Sequence, residues 1–339
     1  MTVPLEKFYF GPTAILFALQ KQTYSMPINI TIYNHSLKER WDTFVKASKN
    51  GTFLFMRDYM DYHSDRFTDY SLLFYHNNKL LAILPANIRK EEQLLVSHGG
   101  LTYGGFIIHP DTKAGEIIEI VDELKKHLQQ AGIKKLIYKP VPYIYNRVPS
   151  EEPLYALFHA GATISARSIS TTIDNSERLK FSQLRKRCIA KAKKAEIACE
   201  KSDNYEKFWD ILTNILQTRH NSGPVHTLEE IKLLHSLFPE NIKLYTANYH
   251  GEPVAGIVVY ETERTAHFQY IATSDEGCSI GALDMLVSHL IENVYANKRY
   301  IDFGTSTEQG GTYLNNGLIS QKEGFGGRAV VYDTYELNI

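Results

Sequence analysis

The chain has 339 residues, 43% hydrophobic and 22% charged. That is enough apolar content for one large core or two ordinary ones, and too much for a disordered chain. Lys and Arg number 37 against 38 Asp and Glu, so no global field singles out nucleic acid or membrane; only a local patch could do so.

Residues 1–25 include the apolar stretch GPTAILFALQ, with no basic segment before it and no small-residue cleavage site. They are read as an N-terminal extension, because Met26 opens MPINITIYN, a natural strand start. Three scattered cysteines without CxxC or Cys/His spacing argue against a disulfide framework and fit a reducing cytoplasm. No apolar run is long enough to span a bilayer.

A helical segment, SLKERWDTFVKAS, comes next, followed by RDYMDYHSDRFTDYS, dense in Tyr, His, Asp and Arg. The stretch DYSLLFYHNNKLLAILPANIRKEEQLLVSHGG then reads as three strands joined by an Asn77-Asn78 turn and a Lys90–Glu92 turn. The helix AGEIIEIVDELKKHLQQAG follows, with Ile117, Ile120, Val121 and Leu124 on one face, and leads into the strand IKKLIYKPV.

The second half repeats this order. YEKFWDILTNILQTRH reads as a helix, and Thr227 with Glu230 forms a capping box that opens another. NIKLYTANYHGEPVAGIVVYETERTAHFQYIA gives three strands of matching length, turning at His250-Gly251 and Thr262–Arg264. SIGALDMLVSHLIENVYA is the helix, with Ile280, Leu283, Leu286, Val287 and Leu290 on one face, and KRYIDFGTS the strand. The pattern predicts a duplication: units at 26–175 and 176–339, each of about 150 residues, an ordinary domain size.

Helix, antiparallel meander, small-residue turn, helix and strand is the order of the GNAT acyltransferase fold. Two such units in tandem resemble the Fem-type peptidyltransferases and the GNAT acyltransferases linked to polysaccharide synthesis. LRKRCIAKAKKAEIACE is similar to the basic helix that opens the second Fem-type domain. GEPVAGIVVYETERTAHFQYIATS is similar to the central hairpin. YIDFGTSTEQGGTYLNNGLISQKEGFGGRAVVYDTYEL carries a strand-closing DFG and a KEGFGG before the last hairpin. The resemblance implies an α/β (α+β) fold of two GNAT-like domains, each a mixed, mainly antiparallel sheet flanked by helices. It places the acceptor on the first and donor binding and catalysis on the second.

The turn before the second long helix holds Gly277, Cys278, Ser279, Ile280, Gly281 and Ala282, small enough at the glycines for backbone N–H groups to approach an anion. The resemblance implies that this turn, with Ile271 and Ala272 before it, grips the pyrophosphate of an acyl-coenzyme A such as acetyl-CoA. The sequence departs from the family pattern in having Ser274 where Arg or Gln is usual, and Asp275-Glu276 beside it. In the preceding strand, alternation puts Thr265, His267 and Gln269 on one face and Ala266, Phe268 and Tyr270 on the other. His267 has the intrinsic pKa of a general base, and Gln269 shares its face. The resemblance adds Tyr313, at the start of the last helix, as the acid for a departing thiolate. It adds Asp302 and Lys322 as substrate-binding candidates.

In the first half, Arg57, His63, His98 and Tyr103 are candidates for holding a polar acceptor, a small molecule or a cell-envelope precursor. No metal is expected, since His63-x-Asp65 lacks a third ligand at fixed spacing. The basic helix, with Arg185, Lys186, Arg187, Lys191, Lys193 and Lys194, suits a polyanion unless it is simply a solvated face. The leading expectation is a cytoplasmic N-acyltransferase. An aminoacyl-tRNA-dependent Fem-type transferase and a non-catalytic GNAT-fold binding protein are the alternatives.

Overall fold

The computed structural model describes residues 28–339; the extension at 1–25 and the start at Met26 lie outside the described residues. The first unit runs β1 (Asn29–Ile32), α1 (Lys38–Ala47), α2 (Arg57–Met60), β2 (Leu72–His76), β3 (Lys79–Leu84), β4 (Asn87–Arg89), β5 (Leu94–Val96), β6 (Ile107–Ile108), α3 (Ala114–Gln130), β7 (Lys135–Tyr138) and α4 (Glu152–His159). A long strand, β8 (Thr163–Asp174), links it to α5 (Gln183–Lys194), β9 (Ala198–Ser202), α6 (Tyr205–His220), α7 (Leu228–Leu237), β10 (Ile242–Tyr249), β11 (Glu252–Glu261) and β12 (Thr265–Thr273). Then come α8 (Asp275–Ile280), α9 (Ala282–His289), β13 (Tyr300–Thr305), β14 (Thr307–Glu308), β15 (Tyr313–Leu314), α10 (Asn316–Glu323) and β16 (Arg328–Asn338).

Both tight turns form as their sequences dictate. Asn77 and Asn78 take positive φ, as do His250 and Gly251, which is the geometry a two-residue hairpin needs. Thr227 and Glu230 form the capping box of α7. The two meanders differ in length, however. In the second unit β10, β11 and β12 are 8, 10 and 9 residues long. In the first, the middle strand breaks at Pro85, which has no N–H for a ladder. β3 joins a four-stranded sheet, β1-β2-β3-β6, while β4 passes into a ten-stranded one.

That large sheet runs β4-β5-β7-β16-β8-β13-β12-β11-β10-β9 and is shared by both halves of the chain. β16 lies between β7 of the first unit and β8, antiparallel to both. One core belongs to the first unit, around Phe74, Leu124 and Leu136. A second belongs to the second unit, around Ile257, Phe268 and Leu286. The third joins the two: Trp41, Phe53, Tyr59, Tyr103 and Tyr145 pack with Phe208, Trp209, Tyr260 and Tyr270. Phe53 meets Phe238 and Tyr260 at 5.5 Å between ring centroids. The seam between the units is therefore a packed aromatic core, which fixes what lies along it.

Candidate active site

β12 and β13 run parallel and pair over only three positions, Thr265 with Tyr300, Ala266 with Ile301 and His267 with Asp302. Beyond that they diverge. β12 continues to Thr273 on its other partner, β11, with a register shift that sets Phe268 opposite Val259 and Tyr270 opposite Val258. Gln269 is thus the extra residue of a bulge. The bulge breaks the simple alternation expected for this strand. Phe268 enters the second unit's core, while Tyr270 turns to the seam core on the same side as His267.

Between the diverging strands is a cavity of about 310 Å³, lined by Ile271, Ala272, Thr273, Cys278, Leu283, Phe303, Lys322 and Phe325 among others. It shares Thr273, Cys278, Leu283 and Gln321 with a second cavity of about 430 Å³ that opens between α5, α8 and α10. Together they form a channel that ends at the splay.

Where the strands part, Asp302 is fully buried and accepts five hydrogen bonds. His267 Nδ1 donates to its Oδ2 at 2.7 Å, with Tyr332 Oη at 2.8 Å and Tyr145 Oη at 3.1 Å. Thr172 Oγ1 donates to Oδ1 at 2.8 Å, and Ser170 Oγ donates there as well. Burial alone would raise this carboxyl. The hydrogen bond and charge of His267, helped by Ser170 and Tyr332, outweigh it and hold the pKa at about 2. Burial keeps Tyr145 and Tyr332 well above the usual phenol range, so both remain donors. An ionised carboxylate at Nδ1 fixes the imidazole tautomer and leaves the Nε2 lone pair free, the arrangement of a general base. Gly304, at φ +75°, passes the ring edge: a Cβ there would stand 3.4 Å from His267 Cε1.

Lys322 lies beside this group. Its Nζ donates to the Gly304 and Thr305 carbonyls, each at 2.8 Å, and it lines the splay cavity. An ammonium has three N–H donors, so one remains for the cavity. Burial lowers its pKa to about 8, with the charge of Asp302 pulling the other way.

The small-residue turn departs from a bare anion cradle. Residues 275–280 form the short helix α8, whose Gly277 N–H is capped by Ser274 Oγ at 3.0 Å. Gly281 ends it in the left-handed conformation. Both glycines answer steric needs: a Cβ at Gly277 would sit 2.4 Å from Val254 O, and one at Gly281 2.5 Å from Cys188 O. Gly277, Cys278 and Gly281 line the outer channel. Ser279 faces out, its Oγ bonded to Glu276 O, Ile280 is half-buried, and Ala282 belongs to the core. Tyr313 is half-exposed in β15, not at a helix start; α10 begins at Asn316 under an Asn315 cap.

The first-half candidates lie at the seam or behind it. Arg57 is buried within its own unit, paired with Asp61 and Asp69 and stacked 3.8 Å over Tyr33. Tyr103 is buried against Tyr145, 4.4 Å between centroids. His63 and His98 are buried and stacked 5.3 Å apart, with Tyr62 between His63 and His226 of the second unit. Burial holds all three imidazoles below their usual range, His98 at about 3 and His226 at about 4. A cavity of about 430 Å³ on the seam is lined by Lys46, Thr52, Asp58, Arg147 and Glu263 and reaches Tyr145. Among the described residues, no three His, Cys, Asp or Glu side chains come together to hold a metal, and no helix is long and apolar enough to cross a membrane.

The sequence reading singled out His267, Asp302 and Lys322, and the structure brings them together. It missed Ser170, Thr172, Tyr145 and Tyr332. Ser168, Ser170 and Thr172 do recur at the period of a strand in SARSISTTID, a polar stripe that could have flagged a buried face needing hydrogen bonds.

Residues 178–313 match the family model "Acetyltransferase (GNAT) domain". No curated protein sequence matches the chain at a significant level. Among solved structures it is similar to FemX, with TM-score 0.65 and 11% identity over 92% of this chain and 97% of that one. It is also similar to L-PGS from Bacillus licheniformis, with TM-score 0.57 and 12% identity over 88% and 90% of the two chains. A conserved protein of unknown function from Bacteroides thetaiotaomicron VPI-5482 aligns with TM-score 0.57 and 11% identity over 92% and 99%. Residues 178–313 thus match the GNAT acetyltransferase domain model, and they are set in a fold similar to that of FemX.

Proposed function

We propose that the protein is an N-acyltransferase that moves an acyl group from acyl-coenzyme A to an amine. The observation that supports this most is the splay of β12 from β13: it opens a cavity lined by Lys322, whose Nζ holds the Gly304 carbonyl next to a histidine whose tautomer a buried aspartate fixes. The thioester arm lies in the splay, and its phosphates leave through the outer channel past Arg185 and Cys188. The amine acceptor comes from the seam side, where Tyr145 borders both the Asp302 network and the seam cavity. His267 Nε2 takes the proton as the amine nitrogen attacks the acyl carbon, and Asp302 balances the imidazolium charge. The tetrahedral oxyanion is received by backbone N–H near Ile271 and by the remaining Lys322 donor. Collapse breaks the carbon–sulfur bond, and the departing thiolate takes the proton from the His267 imidazolium to leave as the coenzyme thiol.

Cys278 offers a direct test, since it is exposed and lines both parts of the channel. Acetyl-CoA is expected to bind in calorimetry and to protect Cys278 from alkylation, read by mass spectrometry, while Cys199 is unaffected. Absence of both binding and protection would overturn the acyl-CoA reading.

A second reading, transfer from an aminoacyl-tRNA, is favoured by one feature. Ser274 already caps the Gly277 N–H, and Asp275 and Glu276 stand where a pyrophosphate would approach. An aminoacyl ester brings no pyrophosphate to this turn. Transfer from aminoacyl-tRNA by protein that ignores acetyl-CoA would establish it.

A further inference from the structure

Eight of the chain's 37 Lys and Arg residues fall between 178 and 194, a stretch without a single Asp or Glu. Two of the eight are committed: Arg178 pairs with Glu292, and Arg185 with Asp284. Lys180, Lys186, Arg187, Lys191, Lys193 and Lys194 have no ion-pair partner among the described residues, and all are exposed. On the flank of α5 turned away from the donor channel, Lys180, Lys186 and Lys193 surround a shallow cavity of about 480 Å³ floored by Phe181 and Ile189. Leu179, on the rim of this cavity, and Leu184, on the side of α5 that faces the channel mouth, are 44% and 51% exposed.

Exposed leucines set among unpaired lysines match a surface that places charge at lipid headgroups and apolar side chains just below them. A nucleic-acid surface would call for different groups. The arginines able to grip a phosphate with two bonds are mostly engaged. Phe181, the aromatic of the segment, packs edge-on against Phe325 instead of offering a stacking face. In a chain of near-zero net charge, the attraction is local to this face.

We infer that the α5 face, with the 178–181 segment beside it, docks on an anionic membrane surface. Docking there sets the mouth of the outer channel, lined by Leu184, Arg185 and Cys188, alongside the lipid. The docking itself does not depend on the acyl-transfer reading.

Co-sedimentation of the full chain with phosphatidylcholine vesicles and with vesicles carrying added phosphatidylglycerol tests this. Binding is expected only to the anionic vesicles, and should weaken as salt shortens the screening length to about 8 Å. The double change Lys186→Glu/Lys193→Glu should lower binding by more than about tenfold. Leu179→Ser should weaken it at low and at high salt alike. Should the charge reversal impair folding, Lys186→Gln/Lys193→Gln should reduce binding in the same direction. Acetyl-CoA calorimetry on the same variants reads the donor site separately. Equal binding to neutral vesicles, no binding to either kind, or binding indifferent to these changes would overturn the inference. Binding of tRNA that is lost in these variants, with vesicles ignored, would assign the face to nucleic acid instead.

Discussion

In each unit a parallel strand pair follows the meander: β5 with β7 in the first, β12 with β13 in the second. In the first, the chain closes the gap. Ser97 N–H donates to Ile137 O at 2.9 Å, its Oγ accepts from Lys139 N at 2.8 Å, and Gly104 N–H donates to Lys139 O at 2.9 Å. Tyr138 Oη then accepts from Phe106 N–H at 2.9 Å. The glycines of HGGLTYGG make this plug possible: a Cβ at Gly104 would stand 2.0 Å from Ser97 O, and Gly105, at φ +78°, lies against Tyr138. In the second unit, among the described residues, no segment folds back. The bulge at Gln269 turns β12 away, and the gap stays open as a cavity. The same strand–helix–strand order thus yields a filled joint in one unit and a channel in the other, and a ten-residue return decides which.

The comparison can be broken most sharply at His267. His267→Ala is expected to lower acyl transfer about 10²- to 10⁴-fold with an unchanged circular dichroism spectrum; an unchanged rate would remove it as the base. Next in size, Gly104→Val in the plug should cost about 1–3 kcal/mol in urea unfolding while leaving donor affinity alone. If donor affinity fell instead, the first unit's joint would not be merely structural. Cys278→Trp should do the opposite, weakening acetyl-CoA by more than about tenfold, or about 1.4 kcal/mol, at an unchanged melting temperature. The smallest effect near neutral pH belongs to the seam. His98 titrates at about 3 in the folded chain against an ordinary 6.5, so between those values the unfolded chain binds the extra proton. The stability that neutral His98 contributes is complete above about 6.5 and drains away as pH falls toward about 3. His98→Asn, which tolerates the left-handed backbone at this site, should flatten the decline in melting temperature over that range.

The meanders, hairpin turns and long helices were legible because period and turn chemistry are local. His267 and Asp302 were legible because each lies within a recognisable strand. Other features depended on distant partners. The Gln269 bulge is defined by its register with β11. Asp275–Cys278 read as a turn because of the glycine at 277, which instead answers the approach of the Val254 carbonyl within α8. β8 went unread because its buried face is Ser and Thr, apolar periodicity being replaced by hydroxyls that hydrogen-bond Asp302. Tyr145 and Tyr332 reach that carboxylate across 157 and 30 residues of sequence.

The position of β16 bears on how the molecule is made. Residues 328–338 separate β7 from β8, and among the described residues β8 pairs only with β13 and β16. Until they emerge from the ribosome, β7 has a bare edge and β8 has no neighbour but β13, though the rest of the first unit is complete. Such edges invite pairing with other chains. Synthesis therefore leaves a long interval in which a chaperone, or slow expression at low temperature, decides how much of the protein reaches its native state.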